Sequence, residues 1–293
     1  MATLAKASTS TVRTSSGARA RRTGVKLLVF VLLLLGAFIQ LLPLVYMLST
    51  SLKQPSDVFR MPPEWIPDPI VFANYVQVWN RVDLARGFVN SMTVAVISTA
   101  GEVLVSALAG FAFARMRFPG RNAFFGLLLV TMMIPGVVTM IPSFILFRIL
   151  GWIDTYRPLI VPLLFGSAFA VFLARQFFRT LPPELEDAAR VDGANPFQTF
   201  LFIFLPLAAP ILATLGGLGF IARWNDFLGP LIYLNTADKF TLPLMLVRLN
   251  SLYERQWHLL MAGSLIAILP IVFILIFMQK YFIESVAVTG LKG

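Results

Sequence analysis

Apolar and polar positions do not alternate along this chain with the short period of a water-soluble fold. They separate into long apolar runs divided by polar breaks. Residues 27–50 carry no charge. At about 1.5 Å per residue, about 24 residues reach about 36 Å, enough to cross a hydrocarbon core of about 30 Å with some tilt. Further spans read at about 88–114, 123–147, 158–174, 200–226 and 259–283. The expected fold class is an all-α integral membrane protein with six transmembrane helices. An even number of spans puts both termini on one side.

The breaks orient these spans. Residues 1–26 hold Lys6, Arg13, Arg19, Arg21, Arg22 and Lys26 with no acid, a composition expected to stay disordered. A signal peptide is not expected here, because the apolar run is too long and lacks a small-residue cleavage site. Arg115, Arg117 and Arg121 follow the second span, and Arg175, Arg179 and Arg190 follow the fourth. The excess of Lys and Arg on this side predicts cytoplasmic termini and a cytoplasmic 181–199 loop. Residues 51–86 form the longest polar segment, with mixed signs and with Trp65, Tyr75 and Trp79 suited to a membrane interface. The expected domains are therefore a tail, 1–26, and a six-helix domain, 27–293.

One break has internal structure. In Leu181–Pro210, Pro182 and Pro183 suit a first helical turn, and Glu184, Glu186 and Asp187 suit the positive end of its dipole. Leu185, Ala188, Ala189 and Asp192 are expected to share a forward face of mostly small residues. Gly193 is a natural residue just past a helix end, and Asn195, Pro196 and Gln198 suit the start of a second helix.

Composition narrows the chemistry. The chain has 293 residues, 58% hydrophobic and 13% charged, with mean hydropathy +0.80. With no cysteine, disulfides, thiolate metal sites and cysteine nucleophiles are excluded. A single histidine, His258, leaves little for imidazole-based metal or acid–base chemistry. The net charge of +10 follows from topology, since the basic residues lie between apolar spans, and nucleic acid is not an expected partner. No G-x-x-x-x-G-K-[S/T] stretch is present to cradle ATP phosphates.

The spacing Asp187-Ala188-Ala189, three residues, Gly193, nine residues, Ile203, Phe204, Leu205-Pro206 resembles the cytoplasmic loop of ABC-importer permeases. The one departure is Asp187 where that family usually has Glu. The resemblance extends over nearly the whole chain and is closest to the carbohydrate-uptake branch. Ser51-Leu52-Lys53, Asn74-Tyr75, Asn90-Ser91, Phe118-Pro119-Gly120 and Pro135 carry it in the first half. Trp224-Asn225-Asp226, Thr241-Leu242-Pro243 and Gly290-Leu291-Lys292-Gly293 carry it in the second. The absence of a large early outer loop is similar to the shorter permease of a heterodimeric pair, the type of the maltose system's G component.

The resemblance implies a type I importer permease fold in a prokaryotic inner membrane, embedded in lipid. It implies a second permease, two ATP-binding subunits and an extracytoplasmic sugar-binding protein as partners. ATP and magnesium would sit on the ATPase, with no cofactor and no catalytic residue on this chain. Glu184, Glu186, Asp187, Ala188, Ala189, Asp192, Gly193, Ile203, Leu205 and Pro206 would form the ATPase-coupling loop, and Gly193→Pro or Ala189→Asp would uncouple hydrolysis from uptake.

Within the spans, Glu102 costs on the order of 2.5–3.5 kcal/mol to place near a bilayer centre. It reads as a cavity hydrogen-bonding group, a proton-relay acid, or a carboxyl packed against a neighbouring subunit. Arg223 and Asp226 stand at i, i+3 and can pair. Met133, Pro135, Trp224, Asn225 and Asp226 join Glu102 as pathway or gate candidates. Pro135, Pro142, Pro206 and Pro210 are expected to kink spans three and five. The alternative function is an ion-coupled secondary transporter with Glu102 as its coupling acid.

Overall fold

The computed structural model describes residues 16–249 and 256–290, and all regular structure among them is helical. The order is α1 (Ser16–Ser51), α2 (Ala73–Arg81), α3 (Leu84–Arg115), α4 (Arg121–Thr131), α5 (Gly136–Ile149), α6 (Arg157–Ile160) and α7 (Ala168–Thr180). There follow α8 (Glu184–Val191), α9 (Pro196–Thr199), α10 (Leu205–Leu207), α11 (Ala209–Trp224), α12 (Leu228–Tyr233), α13 (Leu242–Val247) and α14 (Trp257–Gly290). Lys6, Arg13 and the closing Leu291-Lys292-Gly293 lie outside the described residues.

Four helical runs among the described residues are long and apolar enough to cross a membrane: Gly24–Ser51, Leu84–Arg115, Arg157–Thr180 and Trp257–Lys280. Counting each of two bent pairs as one span brings the number to six, and the bends fall in the third and fifth spans, the two that were expected to be kinked by proline. Arg121–Thr131 meets Gly136–Ile149 at 96°, and Pro196–Leu207 meets Ala209–Trp224 at 76°. Proline is the cause in both. Pro135 disfavours the helical conformation of Ile134 and is itself extended (ψ 132°) before α5 starts. In the fifth span Pro210 lacks the N–H that would close onto Pro206, and the helix restarts after Ala208 (φ −82°, ψ 1°). A π-helical turn, Phe200–Phe204, precedes that break.

Two boundaries also move. The fourth span runs to Thr180, past Arg175 and Arg179, because Arg175 turns its guanidinium back onto the ring of Phe125 at 3.9 Å. The first helix begins at Ser16, inside the basic segment expected to be disordered, where Ala and Arg favour helix.

α3 is the axis of the bundle. Small residues let its neighbours come close: a Cβ placed on Gly110 would stand 2.6 Å from Ala174 Cβ, so α3 and α7 meet almost backbone to backbone. At the Arg115 end of α3 the core is aromatic, with Phe111, Phe178, Phe200 and Phe204 buried together. At the Leu84 end it joins Leu84, Phe220, Trp224, Leu242 and Leu259. The apolar side chains of α1 are mostly exposed, as a lipid-facing helix requires.

Candidate functional site

The segment after α7 is built as two caps around a short helix. Leu181 is extended (ψ 146°), and α8 begins after Pro183, so the two prolines precede its first turn rather than occupying it. Glu184, Glu186 and Asp187 fall in that turn, at the positive end of the peptide dipoles. At the other end Gly193 takes φ +79°, the left-handed conformation that glycine adopts without a Cβ clash. Gly193 N–H donates to Arg190 O at 3.1 Å and Ala194 N–H to Ala189 O at 2.9 Å, the paired bonds of a Schellman cap. Asn195 and Gln198 then exchange side-chain-to-backbone bonds of 2.9 Å in each direction, a capping box that starts α9.

α8 faces differently from the expected register. Ala189 is only 2% exposed and Leu185 is half-buried against the aromatic core, so these two are its inner face. The outward stripe is Glu184, Ala188, Val191 and Asp192, with Asp187 exposed at its edge, offset from the expected face. Two residues missing from the sequence-derived site lie beside it: Val191, 87% exposed, and Phe197, 60% exposed. Counting i, i+3, i+4, i+7 from Glu184 rather than from Leu185 would have found Val191. Ile203 and Leu205 are half-buried around the π-helical turn, and Pro206 is exposed next to the bend, so these three shape the return into the span. Behind α8 lies a cavity of about 770 Å³ lined by Arg115, Arg117, Glu186, Asp187 and Arg190 among others. α8 is thus held at its two roots and along one narrow seam.

Inside the membrane region, Glu102 does not stand alone. Its carboxylate lies 2.8 Å from the guanidinium of Arg223, with side-chain exposures of 7% and 15%. Arg223 also donates to Gly219 O at 3.1 Å. The expected Arg223–Asp226 pair is replaced by this bridge from α3 to α11, because Asp226 turns to accept the Gly229 N–H at 3.2 Å. Trp224, 1% exposed, donates its indole N–H to Ala267 O at 2.9 Å and belongs to the core rather than to a pathway. Asn225 is exposed and closes onto Ile221 O. Met133 and Pro135 lie on the exposed bend between α4 and α5, away from the Glu102–Arg223 pair.

The end of the bundle opposite α8 is cross-braced. Asn90 donates to the carbonyls of Asp238 and Phe240, both at 2.9 Å, and Ser91 Oγ accepts from Leu242 N–H at 2.8 Å. Asp154 accepts from Asn235 N–H, Thr236 N–H, Thr236 Oγ1 and Lys239 Nζ. These bonds, the Lys239 ammonium first, hold the Asp154 carboxyl well below the usual carboxylate range.

The arrangement is that of a transport bundle with a protruding loop, and comparison with known proteins agrees. The sequence profile described as "Binding-protein-dependent transport system inner membrane component" matches residues 102–288. The arabinooligosaccharides transport system permease protein AraQ of Halalkalibacterium halodurans is 37% identical over 260 residues, covering 88% of this chain and 93% of that one. The sn-glycerol-3-phosphate transport system permease protein UgpE of Agrobacterium fabrum is 34% identical over 273 residues, covering 90% and 96%. A chain from the crystal structure of a bacterial ABC transporter involved in alginate import superposes with TM-score 0.79 at 25% identity, covering 93% of this chain and all of that one.

Proposed function

This chain belongs to the family of binding-protein-dependent transport system inner membrane components, and on that premise we propose that it forms half of an importer's translocation pathway for a sugar or oligosaccharide. A second permease supplies the other half, two ATP-binding subunits supply the energy, and an extracytoplasmic binding protein delivers the solute. The loop end faces the cytoplasm, a reading supported by the excess of Lys and Arg there. The carbohydrate class is supported by the substrates named for AraQ and the alginate transporter, and the UgpE similarity makes a polyol phosphate the nearest competing solute.

The observation that carries this reading is α8. A short, fully capped helix presents Glu184, Ala188, Val191 and Asp192 away from its own bundle and rests on it through Leu185 and Ala189. An exposed valine among acids, on a helix with a cavity behind it, suits insertion into a cleft on a moving partner. ATP binding closes the two ATPase subunits, α8 rides with one of them, and the spans tilt to open the cavity outward. Hydrolysis resets it inward. Catalysis stays on the partner. The ion-coupled alternative needs a free acid in the membrane, whereas Glu102 is neutralised by Arg223.

The test is co-purification from native membranes in mild detergent. The wild-type chain should bring down an ATP-binding subunit and a second permease. Val191→Asp and Ala188→Asp should lose the ATP-binding subunit and keep the permease partner. Retention of the ATPase by both variants would refute the docking face. Ala189→Asp no longer serves as this test, because it would bury a carboxylate against the chain's own core.

A further inference from the structure

The prolines that launch α8 leave a deficit one turn earlier. In a continuous helix the Phe178 carbonyl would accept from the N–H four residues on, and that residue is Pro182, which has none. The donor comes from another helix. Arg115, the last residue of α3, gives Phe178 O two bonds, from Nε at 3.0 Å and Nη2 at 2.7 Å, and its Nη2 also reaches Leu181 O. The same guanidinium lies over the ring of the fully buried Phe204, 5.2 Å from its centroid. One side chain therefore grips the segment leading into α8 and the π-helical turn leading out of it.

The grip is returned. Arg175 of α7 donates through Nε to Phe113 O at 3.2 Å, in the last turn of α3, where α3 has stopped supplying N–H donors. Each helix thus caps the other's carbonyl end with a cation, the favourable sign for that end of the dipole. Gly110 lets the two backbones touch just above. By contrast, α8 itself is separated from the end of α3 by the cavity that Arg115, Glu186 and Asp187 line. A displacement of α8 reaches the bundle through the Leu185–Ala189 seam and through its two roots, and both roots meet at Arg115.

We propose that Arg115 is the positioning residue that makes α3 move with α8, so that work done on the loop reaches the intramembrane bundle. This rests on the importer reading given above. Arginine is required by the geometry: its planar fork spans two carbonyls and stacks on a ring, whereas the ammonium of lysine is a point donor.

The experiment uses the complete transporter, purified with its partners and reconstituted, and compares wild type with Arg115→Lys, Arg115→Gln and Arg115→Gln/Pro182→Ala. Three quantities are read: retention of the ATP-binding subunit, ATP hydrolysis and solute uptake. Arg115→Gln should keep the ATPase bound and hydrolysing while uptake per ATP falls by about tenfold or more. Arg115→Lys, which keeps the charge at the end of α7, should insert normally and fall in between. Pro182→Ala returns a backbone N–H that can reach Phe178 O, so it should rescue Arg115→Gln only if Arg115 does no more than satisfy that carbonyl. Unchanged uptake per ATP in Arg115→Gln, or its full rescue by Pro182→Ala, would overturn the proposal and leave the importer reading intact. If Arg115→Gln does not insert, an unchanged ratio in Arg115→Lys overturns it equally. A wild-type chain that carries no ATP-binding subunit would overturn both.

Discussion

The two ends of α3 are held in different ways. At the Leu84 end, the side chains of Arg86, Asn90 and Ser91 bind the 238–242 segment directly, and Asp154 braces the same segment from the 150s. At the Arg115 end, a reciprocal pair of arginines joins α3 to α7, and a cavity of about 770 Å³ separates α3 from α8. Several short polar bonds to backbone carbonyls and amides fix a surface, because each broken bond strands a group that water must re-solvate. The arginine pair at the other end ties α3 to α7 and leaves the two free to turn together relative to α8. The same helix is anchored at one end and jointed at the other, which suits a device whose moving input arrives at the loop.

Between the ends sits the Glu102–Arg223 bridge, and its removal should perturb both. Glu102→Leu alone leaves the guanidinium of Arg223 buried without its charge partner, a loss of about 3–5 kcal/mol by analogy with other buried pairs. The double variant Glu102→Leu/Arg223→Leu removes both charges and should recover most of that loss. Thermal unfolding of the purified protein in detergent reads the difference. Equal destabilisation in the single and double variants would mean that the pair does not brace α3 against α11.

A smaller effect is expected at the anchored end. Asn90→Ala strands the carbonyls of Asp238 and Phe240 and should cost about 1–3 kcal/mol. Amide hydrogen exchange should accelerate in the 235–242 segment and stay unchanged in α8. Acceleration at both ends alike would erase the contrast between anchor and joint.

Much of this contrast was legible as pattern but not as contact. The triplets carrying the family resemblance meet in pairs. Asn74 donates to the carbonyls of Ser51 and Lys53, Tyr75 bonds the Ser51 hydroxyl, and Asn90-Ser91 binds the chain around Thr241-Leu242. The caps at Gly193 and Asn195 were readable because they depend on local geometry alone. The facing of α8 was not, since helical period alone does not say whether the stripe through Leu185 and Ala189 or the one through Glu184 and Val191 turns toward the bundle. Arg115 was counted only as a topological charge, because its partners Phe178 and Leu181 are more than sixty residues away and are recognised through backbone oxygens that sequence does not distinguish. Arg223 was matched with Asp226 for the converse reason: nearness along the helix suggested a pair, and the acid on α3 proved the better partner.

The mildest expected effect concerns Asp154, and its sign follows from the direction of its shift. Its carboxyl is held below the usual range in the folded protein, chiefly by Lys239 and then by Thr236. A group whose folded pKa is depressed contributes stability that is fully present above its unfolded value, near 3.9, and is lost as pH falls through the folded value. Asp154→Asn isolates that contribution, because asparagine tolerates the positive φ of 59° at this position while removing the charge. The ion pair with Lys239 is partly exposed, so the difference in stability between wild type and variant should be on the order of 1 kcal/mol or less. That difference should stay flat from pH 8 down to about pH 5 and close only in stronger acid. Equal stability of wild type and variant across this whole range would place the carboxyl at an ordinary pKa and would mean that the anchored end is held by Asn90 and Ser91 without help from Asp154.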